Sequence, residues 1–271
     1  MKPEQKEIKK GRQSRTLNQE RWRYIVQKVN QEGRVLVTDL AGELDISPVT
    51  IRNDLKVLSR EGLLERTHGG AIKSESALID RALREKEKIH AQEKSAIAAK
   101  AATYIHEGQS IILDSGSTAT KIARMIRDRK DLTVITNAVN IALELLDTSG
   151  IEVILTGGVL RRNSVSLVGH LSEVSLHRLT ADIMFMGVDG IDAEIGYTTP
   201  NLSEARVNQE MMKITREIIV VSDSSKFGRR SLAVICEPRR VHRIITDSKV
   251  DSEYVNQLQA LDVEVVLVDT D

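Results

Sequence analysis

The sequence predicts an α/β protein in two parts: a small N-terminal winged helix-turn-helix and a larger C-terminal α/β domain built on a mostly parallel sheet. Three observations predict it. The stretch SPVTIRNDLKVLSREGLLERTHGGA, residues 47–71, reads as a capped helix followed by a basic, glycine-containing turn. Beyond residue 95, seven short runs rich in Val and Ile alternate with helical segments, the pattern of strands buried on both faces. The charge is also divided. Residues 1–73 hold 15 Lys and Arg against 10 Asp and Glu and the rest hold 24 against 29, although the 271-residue chain as a whole is neutral. A basic head on an acidic body directs any polyanion to the N-terminal part.

In the head, Trp22, Ile25, Val26 and Val29 recur at helical spacing, so residues 17–31 form an amphipathic helix stopped near Gly33. RVLV is a short extended piece. Thr38 is expected to cap a second helix with Leu40, Ala41 and Leu44 on its apolar face. In the third, Ser47 is the N-cap and Pro48 takes the first helical position, where its missing N–H costs nothing. Ile51, Leu55 and Leu58 share one face at i, i+4, i+7 spacing, and Val49, Arg52, Asn53, Lys56 and Arg60 share the other. Two short helices around a tight turn, at about residues 35–54, make a helix-turn-helix. The third helix then enters the major groove of double-stranded DNA. Arg52 suits guanine and Asn53 adenine, while Ser47, Thr50, Lys56 and Arg60 suit the backbone and methyl groups. Arg66 and His68, beside Gly69 and Gly70, form a wing that lies along the DNA backbone.

Residues 74–92 carry charge without Pro or Gly and read as a connecting helix, with residues 93–271 as the second domain. Ile97, Ala98, Ala101, Ala102 and Ile105 open it with an alanine-rich helical face. The strand runs are then SIILD, LTVIT, IEVILTGG, DIMFMGV, EIIVVSD, HRIITD and VEVVLVD. In such sheets ligands bind where strand ends hand over to helices, and those loops are unusual here. SGSTAT (115–120) leads into a helix, so free N–H groups, the helix dipole and Ser or Thr hydroxyls converge as an anion would require. Asn137 follows LTVIT, Gly157–Gly158 follow VILT, DGID brings Asp189 and Asp192, and DSSKFG brings Lys226. Together these loops point to a small phosphorylated ligand. Neither a P-loop nor a dinucleotide fingerprint is present.

Both halves resemble the DeoR family of bacterial transcription regulators. In the head the resemblance rests on Ser47–Pro48, Thr50–Ile51–Arg52, Asp54–Leu55, Gly62, Arg66 and HGGA at 68–71. In the body it rests on LDSGST, TN, TGG, GxDGI and DSSKFG. The resemblance runs from about Asn18 to the end and implies a DNA-binding domain over 18–73. It also implies a sensor domain related to sugar-phosphate isomerases, and a homo-oligomeric repressor of sugar use. Carried over, it implies that Ser115, Gly116, Ser117 and Thr118 hold phosphate, and that Thr136, Asn137, Gly157, Gly158, Asp189, Glu204 and Lys226 line the sugar site. Asn53 stands where the family usually has arginine, which resembles the amino-sugar branch, and Asn208 stands where it commonly has lysine.

The rival reading is an enzyme, since DGID reproduces the D-x-x-D spacing of ribose-phosphate isomerases. Those enzymes place a lysine shortly after the acid pair to stabilise the enediolate; here that stretch is AEIGYTTPN, without one. A purely structural module is the third reading, and the wing and the five loops speak against it. No cofactor or metal is expected: the six histidines show no ligand spacing, and one cysteine, Cys236, makes neither a disulfide nor a cysteine metal site. The polar N-terminus and the lack of an 18-residue apolar run lead us to expect a cytoplasmic protein with no membrane partner.

Overall fold

The computed structural model describes residues 21–22, 24–29, 31–60, 64–73 and 80–270, with only the backbone at Arg60 and Lys73. Residues 17–20 of the expected first helix and 74–79 of the expected connector lie outside the described residues. Contacts divide the chain between residues 77 and 78.

In the first unit, helix α1 runs through residues 21–32 where they are described, and Gly33 ends it at φ +75°, a conformation that favours glycine. Then follow β1 (Arg34–Leu36), α2 (Val37–Leu44), α3 (Pro48–Arg60), β2 (Leu64–Thr67) and β3 (Gly70–Lys73). Ile25 and Val29 of α1, Leu40 of α2 and Ile51, Leu55 and Leu58 of α3 close the core, all 0–1% exposed. Thr38 is not the cap of α2. That helix starts at Val37, with Leu36 as N-cap and no side-chain cap bond, and the Thr38 hydroxyl turns to Asp39 instead. Ser47 does cap α3, its Oγ accepting the Thr50 N–H at 3.1 Å. The three strands pair antiparallel in the order β1-β3-β2. At Gly70 a Cβ would run into the Val35 carbonyl oxygen, so only glycine lets β3 pass this close to β1.

The second unit begins with α4 (Leu83–Lys86), α5 (Ala91–Ala102), β4 (Ser110–Leu113), α6 (Ser117–Met125), β5 (Leu132–Thr136), α7 (Val139–Glu144) and β6 (Ile151–Leu155). Next come β7 (Val159–Arg161), β8 (Ser166–Val168), α8 (His170–Leu176), β9 (Ala181–Met186), β10 (Gly190–Asp192) and β11 (Gly196–Thr199). The chain continues through α9 (Leu202–Lys213), β12 (Thr215–Val221), β13 (Ala233–Cys236), β14 (Arg243–Asp247), α10 (Ser252–Gln259) and β15 (Glu264–Val268). Short 3-10 turns sit at Ser224–Lys226 and Pro238–Arg240.

The seven apolar runs become one parallel sheet in the order β15-β14-β12-β9-β4-β5-β6. Alternate residues face opposite layers. Ile112, Met184, Val220 and Ile244 pack into one core, whereas Ile111, Phe185, Ile219 and Ile245 pack into the other with α5 and α6. A β7–β8 hairpin and a small antiparallel sheet, β10-β11-β13, are added at the loops. The segment expected as a connecting helix is helical only at Leu83–Lys86 before α5, among its described residues. The described part packs within the second unit.

Candidate functional site

The reading face of the first unit follows from the helical period. With Ile51, Leu55 and Leu58 inward, Arg52, Asn53 and Lys56 are exposed on α3 and Val49 beside them is 61% exposed. Thr50 is half-buried, its hydroxyl 2.9 Å from that of Ser47; both hydroxyls therefore already have a partner in the cap. Arg60 is on the last turn of α3. Arg66 projects from β2, and His68 with Gly69 forms the two-residue tip of the β2–β3 hairpin, where both are exposed. Asp54 anchors the helix from behind. It is 5% exposed and accepts bonds from Arg21 Nε (2.6 Å), Arg21 Nη2 (2.9 Å) and Trp22 Nε1 (2.7 Å).

In the second unit a cleft of about 690 Å³, counted to its open mouth, lies at the C-terminal edge of the large sheet. Ser115, Gly116, Ser117, Thr118, Asp189, Glu204 and Lys226 line it. Helix α6 starts here at Ser117 after Gly116, and no side chain caps its first turn. Its positive end is therefore available to an anion. Thr136, Asn137, Gly157 and Gly158 are not among the lining residues. Thr136 Oγ1 donates to the Leu113 carbonyl and accepts the Ala138 N–H, tying β5 to β4. Asn137 donates to the Leu167 carbonyl. Gly158, at φ +126°, leaves no room for a Cβ against Val168 and Ser172. These residues shape the loops rather than face the cleft.

The cleft also gathers residues that the loops did not announce: Arg81, Lys86, Lys94, Asp114 and Asn208. Lys86 Nζ lies 2.9 Å from Asp189, and Lys226 Nζ lies 3.5 Å from it. Burial alone would raise the Asp189 carboxyl, but the two ammonium groups outweigh burial and hold it below the usual range. Lys94 is 5% exposed and donates to the carbonyls of Lys86 and Ile89 at 2.7 Å each. Burial lowers it to about 8, opposed by Asp223. Asp114, 2% exposed, accepts from the Ser115 and Gly187 N–H groups and from Asn208 Nδ2, joining two loops to α9. Burial, reinforced by Glu204, pushes its carboxyl up to about 7. A signal was present for Asp114, the acid ending SIILD beside the anion loop, and for Arg81 and Lys94, which fall where the resembled family has charged residues; Lys86 carried none beyond being charged.

Residues 80–86 form a strap at this cleft. Asp80 pairs with Arg161, which also reaches Glu204 Oε1 at 3.1 Å. Asn163 Nδ2 donates to the carbonyl and carboxylate of Asp80, and the Leu83 N–H donates to the Asn163 carbonyl. At the strap's far end stands the Lys86–Asp189 pair.

Asp192 does not join Asp189 in the cleft. It accepts the Glu194 and Ile195 N–H groups in the β10–β11 turn and pairs with Arg230 at 2.6 Å. The two carboxylates of DGID therefore have different partners, Lys86 and Lys226 for Asp189 and Arg230 for Asp192. Among the described residues no group of three His, Cys, Asp or Glu could hold a metal ion, and no helix is long and apolar enough to cross a membrane.

A basic reading helix with a wing, joined to an α/β domain with an anion-ready cleft, defines a DNA-binding regulator with a ligand-sensing part. Comparison with known proteins agrees. Residues 21–77 match the DeoR-like helix-turn-helix domain and residues 89–248 match the DeoR C terminal sensor domain. The chain is 40% identical to the candidate aga operon transcriptional repressor of Escherichia coli O157:H7, over 95% of this chain and 97% of that one. It is 36% identical to the HTH-type transcriptional regulator GlpR of Haloferax volcanii, over 91% and 96%. It is also 36% identical to GolR of Listeria innocua, over 89% and 94%. The chain belongs to the DeoR family of transcriptional regulators; it is a DNA-binding regulator and not an enzyme.

Among solved structures, ribose 5-phosphate isomerase from Plasmodium falciparum matches at 18% identity and a TM-score of 0.38, over 51% of this chain and 53% of that one. The chain thus spans about half the length of such structures, a likeness too partial to carry an argument.

Proposed function

We propose that the protein represses an operon for sugar use, with amino sugars as the first class to test, and that a phosphorylated sugar in the cleft releases it from its operator. The observation that carries the ligand reading is the uncapped N-terminus of α6 within a cleft also lined by Arg81, Lys86, Lys94 and Lys226. A phosphate there meets helix N–H groups and cationic side chains together. In this reading Ser115, Gly116, Ser117 and Thr118 hold the phosphate, while Asp189, Glu204 and Asn208 face the sugar hydroxyl or amino groups. Thr136, Asn137, Gly157 and Gly158 support these loops from outside the cleft.

On the DNA side, α3 lies in the major groove. Arg52 and Asn53 read bases, Lys56, Arg60 and Thr50 meet phosphates or methyl groups, and Ser47 positions the helix start. Arg66 and His68 follow the backbone from the wing. The head then spans residues 18–73 and the sensor 93–271, with 74–92 between them. The protein works in the cytoplasm as a homo-oligomer on repeated half-sites. The strap is the continuation of the head's own chain. A phosphate that draws Lys86 from Asp189, or a sugar that re-aims Glu204 and with it Arg161 and Asp80, alters how that continuation is held. A coupling of about 1–3 kcal/mol between the sites is typical of such switches.

Calorimetric titration of the full-length chain with hexose, pentose and amino-sugar phosphates, and with the same sugars unphosphorylated, tests the ligand. One phosphorylated sugar binding at micromolar concentration or better, with inorganic phosphate competing, is the expected result. Equal binding of the unphosphorylated sugar, or binding of none of the panel, would overturn it.

A further inference from the structure

The two edges of the large sheet are treated differently. At the β15 edge, Glu264 pairs with Arg243 and Leu267 is the one large apolar residue on the strand counted as exposed. The other edge is β6, which among the described residues has a single neighbour, β5. Its strand and flanks expose Leu155 at the strand end, Val159 and Leu160 on β7, and Leu171 and Val174 one turn apart on α8. Leu143 and Leu146 at the end of α7 add to them from the opposite side of the sheet. All seven are 41–72% exposed.

The elements meet at the strand end. The Ser172 hydroxyl donates to Thr156 Oγ1 at 3.0 Å, and a Cβ at Gly157 would lie 3.9 Å from the Leu171 carbonyl oxygen. Val159 pairs with Val168 in the hairpin, which packs against both α7 and α8. The cores behind the two helices are different, Ile141 on one face of the sheet and Leu176 on the other, so the edge runs between them.

We propose that this β6 edge, with α7 and α8 on its flanks, is the surface through which two copies of the chain pair. The seven side chains together expose on the order of 700 Å² of apolar surface, more than the ~300–600 Å² of the largest patch on a typical monomer. That area is close to the ~800 Å² that each partner contributes to a standard protein–protein interface. An unpaired strand edge in apolar surroundings is a liability that folded proteins cover. A second copy is the occupant because each chain brings one 13-residue reading helix, and helix-turn-helix regulators read two half-sites with two such helices. A two-fold pairing presents the same patch from both sides, so it covers both free edges at once. The inference does not depend on what fills the cleft.

Light scattering and sedimentation of the full-length protein test it, comparing wild type with Leu171→Glu and Val159→Arg. Leu232→Glu, a charge placed at an equally exposed leucine away from this edge, is the control. The wild type and Leu232→Glu are expected at twice the chain mass or a higher even multiple, and the two edge variants at half the wild-type mass. Both variants should keep the wild type's circular dichroism spectrum, since neither side chain is in the core, while operator affinity falls by at least about tenfold. Hydrogen exchange gives a second reading: the amides of residues 152–155 should be slower in the wild type than in Leu171→Glu. A monomeric wild type, edge variants that keep the wild-type mass, or exchange that is the same in both would each overturn the proposal.

Discussion

Replacing Asp54 by alanine removes the one carboxylate that ties the reading helix to α1. The perturbation is well defined because Asp54 is 5% exposed and, among the described residues, accepts three bonds from Arg21 and Trp22. Breaking a buried ion pair by deleting one partner costs about 3–5 kcal/mol, since the remaining charge is left uncompensated. The Arg21 side chain keeps 18% of its surface exposed, so water recovers part of that cost and about 2–3 kcal/mol is expected. A unit this small rarely holds more than ~3–5 kcal/mol in all, so the variant head sits near its unfolding midpoint. Trp22 is the chain's only tryptophan, and it reports on this unit from beside the mutated group. Urea unfolding followed by its fluorescence should show the head transition moved to much lower urea, with the sensor's transition unmoved by circular dichroism. Asp54→Asn, which keeps the shape and one acceptor, should lose about half as much. A head transition displaced by less than ~0.5 kcal/mol, the usual effect of a surface change, would refute the anchoring role.

Arg52→Ala is expected to weaken specific operator binding by about 1–3 kcal/mol and to relax the preference at one base pair; an unchanged ratio of specific to non-specific affinity would remove Arg52 from that role. Gly70→Ala should destabilise the head by about 1–3 kcal/mol or more, because its Cβ meets the Val35 backbone rather than a movable side chain, as urea unfolding would show. Asp114 gives a pH dependence. With its carboxyl raised to about 7 in the folded protein and near 4 when unfolded, the folded state holds the extra proton between those values. Stability therefore falls as pH rises through that window. Asp114→Asn should flatten this slope by about 1.4 kcal/mol per pH unit at most, measured by thermal melting from pH 4 to 8.

The parallel sheet was legible because burial on both faces demands unbroken apolar strands, and Val/Ile runs such as LTVIT and EIIVV have no other use at that length. The small antiparallel sheet was not. Its strands are three or four residues long, and GYTT is too polar to stand out although all four residues are buried. Ser47 and Pro48 marked the start of α3 because capping is a local interaction. Thr38 misled for the same reason, since a hydroxyl ahead of an apolar face is an equally good local signal whether or not it is used. In the cleft, proximity to a strand end located the loops but not the direction of their side chains. Asn137 turns to hold the Leu167 carbonyl and Gly158 only makes room for Val168 and Ser172, while Lys86 arrives from the segment read as a connecting helix and Lys94 from the first turn of α5. Their partners, Asp189 and Asp223, lie more than a hundred residues away, a pairing that only the tertiary fold creates.

The central claim is that ligand in the cleft controls DNA on α3, and one titration tests it most directly. The purified full-length protein is bound to DNA from upstream of its own operon. Sugar phosphates are then added while fluorescence anisotropy reports the complex and the sugar is assayed for conversion. One phosphorylated sugar should release the DNA with no turnover, and Lys226→Met should bind the same DNA as tightly yet need far more of that sugar for release. Contradiction would be a complex that the sugar bound in the cleft leaves intact, or a Lys226→Met protein released at the wild-type concentration.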